Sequence, residues 1–431
     1  MIAITYADRQ SRDSLLGGLP QAKDVSQPVS DIIAAVRAQG DQALYELTER
    51  FDGVKLDSLK VSQAEINEAV ASLPEELLQV IRRAADNIRA FHQRQVRQGF
   101  LCQDRPGVTL GQKVLPLDSV GLYVPGGTAS YPSSVLMNAV PAKIAGCPRI
   151  VMTTPPDRQG GVAAAILAAA SIAGIDTIYN IGGAQAIAAL AYGTASVPQV
   201  DKIVGPGNAY VAEAKRQVYG QVAIDMIAGP SEILIIADAA SDPKHLAADL
   251  LSQAEQDALS AAILITPSEP LALLVQAEIE RQLSLLPRQQ IARASIEGRG
   301  RIIICRDLEE ALALSNLIAP EHLELQMDEP FAWLDQVRHA GSVFLGRHCP
   351  EAMGDYLAGT NHTLPTGGTA RFSSALSVDD FVKKIQFSYY TRQALLREGP
   401  DAARFARQEG LEAHARSVES RYDNFDEVTA S

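Results

Sequence analysis

Apolar and polar residues follow two different patterns along this 431-residue chain. In roughly the first hundred residues the apolar positions recur at helical spacing, as in segment 77–91, and "SQAE" at 62–65 has the form of a capping box that begins a helix. We predict an N-terminal helical lobe over residues 1–114. A surface position is the default expectation for three histidines in helical runs: His92, His245 and His339.

The pattern changes near residue 115, where short apolar runs begin to alternate with alanine-rich helical segments. The first series is "VGLYV", "RIVMTT", "DTIYNI" and "DKIV", and the second is "EILIIAD", "AAILIT", "RIIIC" and "SVFLG". Repeated strand–loop–helix units are typical of parallel sheets covered by helices. We predict an α/β fold with two doubly wound units, over 115–235 and 236–378, followed by a helical tail over 379–431.

Composition and charge exclude several classes of function. The net charge is −13 and the sequence has no basic block, which argues against a nucleic-acid partner. The N-terminus lacks the basic start and apolar core of a signal peptide. The uncharged run 177–200 is broken by Asn180, Gly182 and Pro198, so we expect folded interior there and no membrane span. The four cysteines form no C-x-x-C pair, which fits a cytoplasmic protein.

Ligands of doubly wound folds bind beyond the carboxyl ends of the strands, so the strand-to-helix loops are the first candidates for a site. Three of these loops are rich in glycine: "VPGGTAS" (124–130), "IGGAQ" (181–185) and "VGPGNAY" (204–210). Glycine lets the backbone approach a ligand closely, and the N-terminus of the following helix favours an anion. None is a G-x-G-x-x-G, so the pattern alone leaves both a structural turn and a binding loop open.

Titratable residues add a second set of candidates. Glu321 and His322 are adjacent in "APEHLEL", at the start of a predicted strand, and such a pair suits acid–base catalysis as well as a structural role. Asp355 and His362 lie in a long glycine-rich segment, 354–368, and such loops are often functional. Spacing along the chain does not show which of these side chains meet.

Taken together, several long motifs resemble the histidinol dehydrogenase family over essentially the whole chain, in order. They are "VGLYVPGGTA", "GGAQAIAALAYGT", "VDKIVGPGNAYVAEAKRQV", "IAGPSEILIIAD", "APEHLEL", "GDYLAGTNHTLPTGGTARFSS" and "EGLEAHARSVESR". The resemblance implies two incomplete Rossmann-like units, NAD and one zinc per subunit, and a homodimer in which the helical tail reaches the partner's active site. It also implies the last step of histidine biosynthesis, the four-electron oxidation of L-histidinol to L-histidine through the aldehyde.

The resemblance further implies the residues of the site. The catalytic acid–base pair is Glu321 and His322. The expected NAD contacts are Tyr123, Gln185 and Asn208. The expected substrate contacts are Ser231, Gln253, Gln256, His322, Asp355, Glu409 and His414, with His362 nearby. The expected metal ligands are Gln253, Gln256, Asp355 and His414.

One stretch departs from the family pattern, because "SQAEQD" stands where the family usually has "SQAEHD" with a zinc-binding histidine. Gln253 and Gln256 are three residues apart and would share a helix face, so position 256 can still point at the metal. An amide oxygen is a weaker zinc ligand than imidazole. Three interpretations stay open: a histidinol dehydrogenase with a weakened or altered metal site, a paralogous NAD-dependent dehydrogenase of another small alcohol, and an impaired or non-catalytic relative.

Overall fold

The computed structural model describes residues 1–7, 24–126 and 130–422. Its strands are β1 (Ala3–Tyr6), β2 (Phe100–Arg105), β3 (Val108–Pro116), β4 (Ser119–Tyr123), β5 (Arg149–Thr154), β6 (Ile178–Asn180), β7 (Lys202–Val204), β8 (Ala223–Ile224), β9 (Glu232–Ala237), β10 (Ala261–Thr266), β11 (Arg301–Ile304), β12 (His322–Gln326), β13 (Ser342–Leu345) and β14 (Val382–Tyr390).

Helices occur in both halves of the chain. They are α1 (Ser26–Gln39), α2 (Asp41–Asp52), α3 (Gln63–Ser72), α4 (Glu75–His92), α5 (Pro132–Ala145), α6 (Ala164–Ile172), α7 (Gly183–Tyr192), α8 (Ala209–Val218), α9 (Pro243–Ala254), α10 (Glu269–Leu283), α11 (Gln289–Arg299), α12 (Leu308–Ile318), α13 (Phe331–Leu334), α14 (Glu351–Tyr356), α15 (Arg392–Gln408) and α16 (Glu412–Glu419). Within the described ranges, no helix is both long and apolar enough to cross a membrane.

The chain forms two compact units. The first comprises Met1–Val96 and Leu117–Phe381, and the second comprises Arg97–Pro116 and Val382–Ser431. The first unit contains two parallel sheets. In one, the strand order is β6-β5-β4-β7-β8, so the chain moves outward from β4 to β6 and then returns to the other side of β4. The carboxyl ends of β4 and β7 therefore flank the point where the strand order reverses, which is where such sheets leave a crevice.

In the second sheet the chain likewise moves outward from β9 through β10 to β11 and then returns to the other side of β9 with β12 and β13. Its strands run β1-β11-β10-β9-β12-β13, all parallel, with β9 as the starting strand. Every residue of β9 and β10 is buried, because helices cover both faces of the sheet and each strand is a nearly continuous apolar run. The α/β architecture of parallel sheets and helices predicted from the sequence is confirmed.

The helices before β2 cover the first sheet. α1 packs against α7 and α8, while α3 and α4 pack against α6 and α5. The predicted capping box is present at the start of α3, where the Ser62 hydroxyl accepts from the Glu65 backbone N–H at 3.2 Å and the Glu65 carboxylate accepts from the Ser62 N–H at 2.7 Å. The second unit is an antiparallel sheet, in the order β14-β3-β2, with α15 packed against α16.

Three expectations from the sequence are wrong. The first hundred residues are not helical throughout, because β1 pairs with β11 at the edge of the second sheet and β2 belongs to the second unit. The tail is not helical from 379, since β14 pairs with β3 along nine residues. His92 is fully buried at the end of α4, where its Nδ1 lies 2.8 Å from the Ile88 carbonyl oxygen.

Candidate active site

A cavity of about 370 Å³ opens at the carboxyl ends of β4 and β7. The three residues expected to contact NAD all line it: Tyr123, Gln185 and Asn208. Tyr123 is the last residue of β4, and its hydroxyl oxygen accepts a hydrogen bond from the Gly183 backbone N–H at 3.1 Å. Burial raises the pKa of Tyr123 to about 12, so the phenol keeps its proton. Residues 127–129 of the first glycine-rich loop lie outside the described residues.

The loop after β7 is held in place by a buried ion pair. Gly205 has a φ of 116°, and a Cβ at this position would collide with the Tyr123 carbonyl oxygen, so only glycine fits. The Lys215 ammonium forms a salt bridge with Asp225 and donates to the Gly205 carbonyl oxygen at 3.0 Å. The Asp225 carboxylate accepts from the Gly205 N–H at 2.8 Å. Both charged side chains are almost completely buried, which fixes this wall of the cavity.

Asn208 has a structural task in addition to its predicted one. It is the N-cap of α8, and its Oδ1 accepts from the backbone N–H groups of Tyr210 and Val211 at 3.0 and 3.1 Å. Its oxygen is therefore occupied, and only its amide nitrogen is available as a donor to a ligand in the cavity.

Glu321 and His322 stand at the start of β12, at the amino ends of the strands. The expectation that ligand contacts gather beyond the carboxyl ends therefore fails for this pair. The Glu321 carboxylate accepts from the Glu232 N–H at 2.9 Å, and His322 Nδ1 donates to the Glu232 carbonyl oxygen at 3.0 Å. With Nδ1–H so placed, the lone pair of His322 lies on Nε2, which is buried without a hydrogen-bond partner among the described residues.

Burial governs the protonation of both groups. It raises the pKa of Glu321 well above its usual range and lowers the pKa of His322, although the charge of Asp355 opposes the shift at His322. A neutral imidazole with an unpaired Nε2 can accept a proton from a hydroxyl group. A buried carboxylate, once ionised, is a stronger base than an exposed one.

Two carboxylates on the short helix α14 complete this cluster. Glu351 Oε1 lies 3.7 Å from His322 Nε2, and one ligand atom from each of His322, Glu351 and Asp355 lies within 4.8 Å of the others. Burial, followed by the charge of Asp355, raises the pKa of Glu351 to about 9. On its other side Asp355 faces His362, with 3.5 Å between Oδ1 and Nδ1, and His362 Nε2 lies 3.2 Å from the Ser134 hydroxyl on α5.

Gln253 and Gln256 differ in their surroundings. α9 ends at Ala254, so the two glutamines do not share a continuous helix face as expected. Gln253 is fully buried, and neither its Oε1 nor its Nε2 has a hydrogen-bond partner within the described ranges. Gln256 is exposed in the turn that follows, where its N–H donates to the Gln253 carbonyl oxygen at 3.2 Å. A metal-binding role for Gln256 stays a prediction.

The remaining predicted site residues fall in both units. Ser231 immediately precedes β9 and so lies beside Glu232, whose backbone binds both Glu321 and His322. Glu409, at the end of α15, and His414, in α16, belong to the second unit and are exposed. The first unit thus brings the Glu321–His322 pair, Asp355 and His362 together near the amino ends of β9 and β12, where Ser231 precedes β9.

Glu351 is the residue of this cluster that the sequence analysis missed. The signal available was its position four residues before Asp355 in "EAMGDY", a spacing that places both carboxylates on one side of a helix. The Glu351 and Asp355 carboxylates supply oxygen ligands beside the His322 imidazole, and oxygen ligands suit a divalent cation. The buried Gln253 amide, which has no hydrogen-bond partner among the described residues, is a further oxygen of this kind in the same unit. These residues fit a metal, and the cavity beside Tyr123 fits part of a dinucleotide.

Comparison with known proteins gives a consistent picture. The family model for histidinol dehydrogenase matches residues 19–422. Relatives named histidinol dehydrogenase from Geobacillus kaustophilus and Syntrophotalea carbinolica are 58% identical over 395 and 399 residues, covering 92% of this chain and 93% and 92% of theirs. The crystal structure of histidinol dehydrogenase from Elizabethkingia anophelis is 41% identical, with a TM-score of 0.93 over 97% of this chain and 98% of that one.

These matches define the class of protein first: the chain is an oxidoreductase enzyme. More closely, it belongs to the histidinol dehydrogenase family, and it shares 53–58% identity with eight relatives of that name. Of the three interpretations drawn from the sequence, a dehydrogenase of another small alcohol and a non-catalytic relative are not favoured.

Proposed function

We propose that this protein oxidises L-histidinol to L-histidine through the aldehyde, with NAD as the hydride acceptor. The observation that carries the proposal is the Glu321–His322 pair, in which His322 Nδ1 is fixed by a backbone carbonyl group and Nε2 is left unpaired and buried. In this proposal the first unit holds two incomplete Rossmann-like halves, with nucleotide binding in 115–235 and catalysis in 236–378, and the protein works in the cytoplasm.

His322 is the base of the alcohol step. Its Nε2 accepts the hydroxyl proton of histidinol, and the bond from Nδ1 to the Glu232 carbonyl oxygen stabilises the imidazolium that results. Burial keeps this ring neutral before the reaction, so the base is ready near neutral pH. Ser231, next to Glu232 at the start of β9, is suited to orient the substrate.

Glu321 serves the aldehyde step. Its carboxylate is held by the Glu232 N–H and lies 3.7 Å from His322 Nδ1, so it can take a proton from the water that hydrates the aldehyde. Burial of this site excludes bulk water and strengthens the electrostatic interaction of Glu321 with its neighbours.

Two bound groups complete the chemistry. NAD, bound against Tyr123, Gln185 and Asn208, would accept one hydride in each step, so the four-electron oxidation would consume two NAD molecules in succession. A divalent cation, zinc in the family pattern, when held by Gln253 and Asp355 with Glu351 beside them, fixes the orientation of the substrate. Gln256 and the tail residue His414 are the further ligands that the family resemblance implies.

The family resemblance also implies a homodimer with shared active sites. Glu409 and His414 are exposed on the helices of the second unit, where a partner subunit can be reached. A variant lacking the Glu321 carboxylate and a variant lacking the His414 imidazole should then partly restore each other's activity when co-expressed. Mixed dimers without recovered activity would mean that each chain builds its own site.

The decisive experiment measures NADH production from L-histidinol and the metal content of the same sample. We expect NADH to form with histidine as the product, and His322→Asn to reduce turnover by ~10²–10⁴-fold, the usual contribution of a general base. His245→Asn, an exposed histidine on α9, is the matched control and should keep full activity. Purified, metal-loaded protein that forms no NADH from histidinol would refute the proposal.

A further inference from the structure

Asp52 is an acidic residue in an unfavourable place. It is the last residue of α2, where the helix dipole disfavours a negative charge. Its Oδ2 is buried and has no hydrogen-bond partner among the described residues. Burial raises the pKa of this carboxyl to about 6. A buried carboxylate oxygen without a hydrogen-bond partner costs stability, and a ligand that donates hydrogen bonds to it would remove that cost.

The same side chain lines the cavity at the carboxyl ends of β4 and β7. The cavity has apolar walls from Phe51, Pro155, Pro156 and Tyr210, which suit a flat heterocycle such as a purine. Asp52 faces this space together with Tyr123, and the Asp52 charge contributes to the raised pKa of the Tyr123 phenol. Among the described residues that line this cavity, Asp52 is the one acidic side chain.

We infer that the Asp52 carboxylate accepts hydrogen bonds from the ribose hydroxyls on the adenosine side of the dinucleotide, and that it thereby selects NAD over NADP. The inference rests on the proposed function for the identity of the ligand. Ribose hydroxyls are neutral donors that satisfy the unpaired oxygen. The 2′-phosphate of NADP offers only negative charge at this point, and a carboxylate close to it repels it in a partly buried site.

Asp52 does not belong to a strand of the first sheet, although it lines the cavity at the end of that sheet. In many dinucleotide-binding folds the acidic residue that binds ribose ends a strand of the same sheet. Here it ends a helix of the N-terminal segment, α2, which contacts α7 next to the cavity. The N-terminal helices therefore take part in cofactor choice as well as in covering the sheet.

The test is the affinity of the full-length protein for NAD, NADP and the hypoxanthine analogue of NAD, measured by equilibrium dialysis. Asp52→Asn removes the charge with little change in shape. Its matched control is Glu49→Gln, an exposed acid in the last turn of the same helix. We expect Asp52→Asn to weaken NAD binding by ~10–100-fold, as for loss of a hydrogen bond to a charged group, and to weaken NADP binding far less. Glu49→Gln should match the wild type.

The hypoxanthine analogue lacks the exocyclic amine of adenine, so it separates the two donors that a carboxylate could meet. We expect the affinity for this analogue to be lower than the affinity for NAD by the same factor in the wild type and in Asp52→Asn. That result would assign Asp52 to the ribose. An affinity that is lower for the analogue than for NAD only in the wild type would assign Asp52 to the amine and overturn the inference. An unchanged ratio of NAD to NADP affinity in Asp52→Asn would overturn it as well.

Thermal unfolding separates this role from a structural one. Without dinucleotide, Asp52→Asn should melt no lower than the wild type, because it removes an unfavourable charge, and saturating NAD should raise its midpoint less. A variant that melts lower without dinucleotide, yet gains the wild-type increase with NAD, would contradict the inference. Normal NAD selectivity with no histidinol oxidation would contradict only the proposed function.

Discussion

The ion pair of Lys215 and Asp225 holds the glycine-rich loop after β7, and Lys215→Met removes its cation while keeping most of the side-chain volume. The side chains of the pair are 2% and 1% exposed, so solvent screens the charges very little. After the substitution, the buried Asp225 carboxyl group has lost its cationic partner, and the Gly205 carbonyl oxygen has lost its donor.

Breaking a buried pair by removing one partner costs ~3–5 kcal/mol. We expect a value near the lower end, about 3 kcal/mol, because the N–H groups of Gly205 and Met226 still donate to Asp225. Adding Asp225→Asn should recover much of this loss, since the double variant leaves no unpaired charge buried and keeps an acceptor for Gly205.

The free energy of unfolding is measured from urea denaturation, with the slope against urea concentration checked for constancy. Lys202→Met is the matched control, because the Lys202–Asp380 pair is more exposed, at 11% and 29%, and its loss should cost about 1 kcal/mol or less. A Lys215→Met variant as stable as this control, or a double variant no more stable than Lys215→Met, would refute the reasoning. NAD affinity should fall in Lys215→Met, because the loop then loses its support.

Four further changes test the site and its surroundings. Glu321→Gln should slow oxidation of the aldehyde more than of the alcohol, because only the aldehyde step needs an activated water; equal losses in steady-state rates would count against that role. Gln256→His should increase zinc retained against a chelator, and unchanged metal content would mean that position 256 does not reach the metal. Glu351→Gln should weaken retention of a divalent cation by at least ~10–100-fold, measured by metal analysis after dialysis, and unchanged retention would exclude Glu351 from the metal site. Burial lowers the pKa of His92 from 6.5, so as the pH falls below 6.5 the unfolded chain binds a proton that the folded chain does not. The wild type should therefore lose more stability than His92→Gln between about pH 7 and about pH 5 in urea titrations, and parallel losses would contradict this.

Helices and strands whose residue pattern is local, within a few positions of one another, were predictable from the sequence. The runs that became β9 and β10 are continuously apolar because helices bury both faces of a parallel sheet. The capping box at Ser62 is local, since its two hydrogen bonds join residues three apart. Strands β1 and β14 showed no such pattern. β1 has only four residues, and the pairing that makes it a strand, with β11, lies about three hundred residues away.

By itself, the sequence determined the α/β class, the glycine-rich loops and the adjacent pair of Glu321 and His322, because each depends on residue types within a few positions of one another. Tertiary structure alone placed Glu351 beside His322 and Asp52 in the cavity of Tyr123. It also buried Gln253 while leaving Gln256 in solvent, and it put the acid–base pair at the amino end of its strand. These outcomes depend on contacts between segments far apart in the chain, and spacing along the sequence carries no information about such distances.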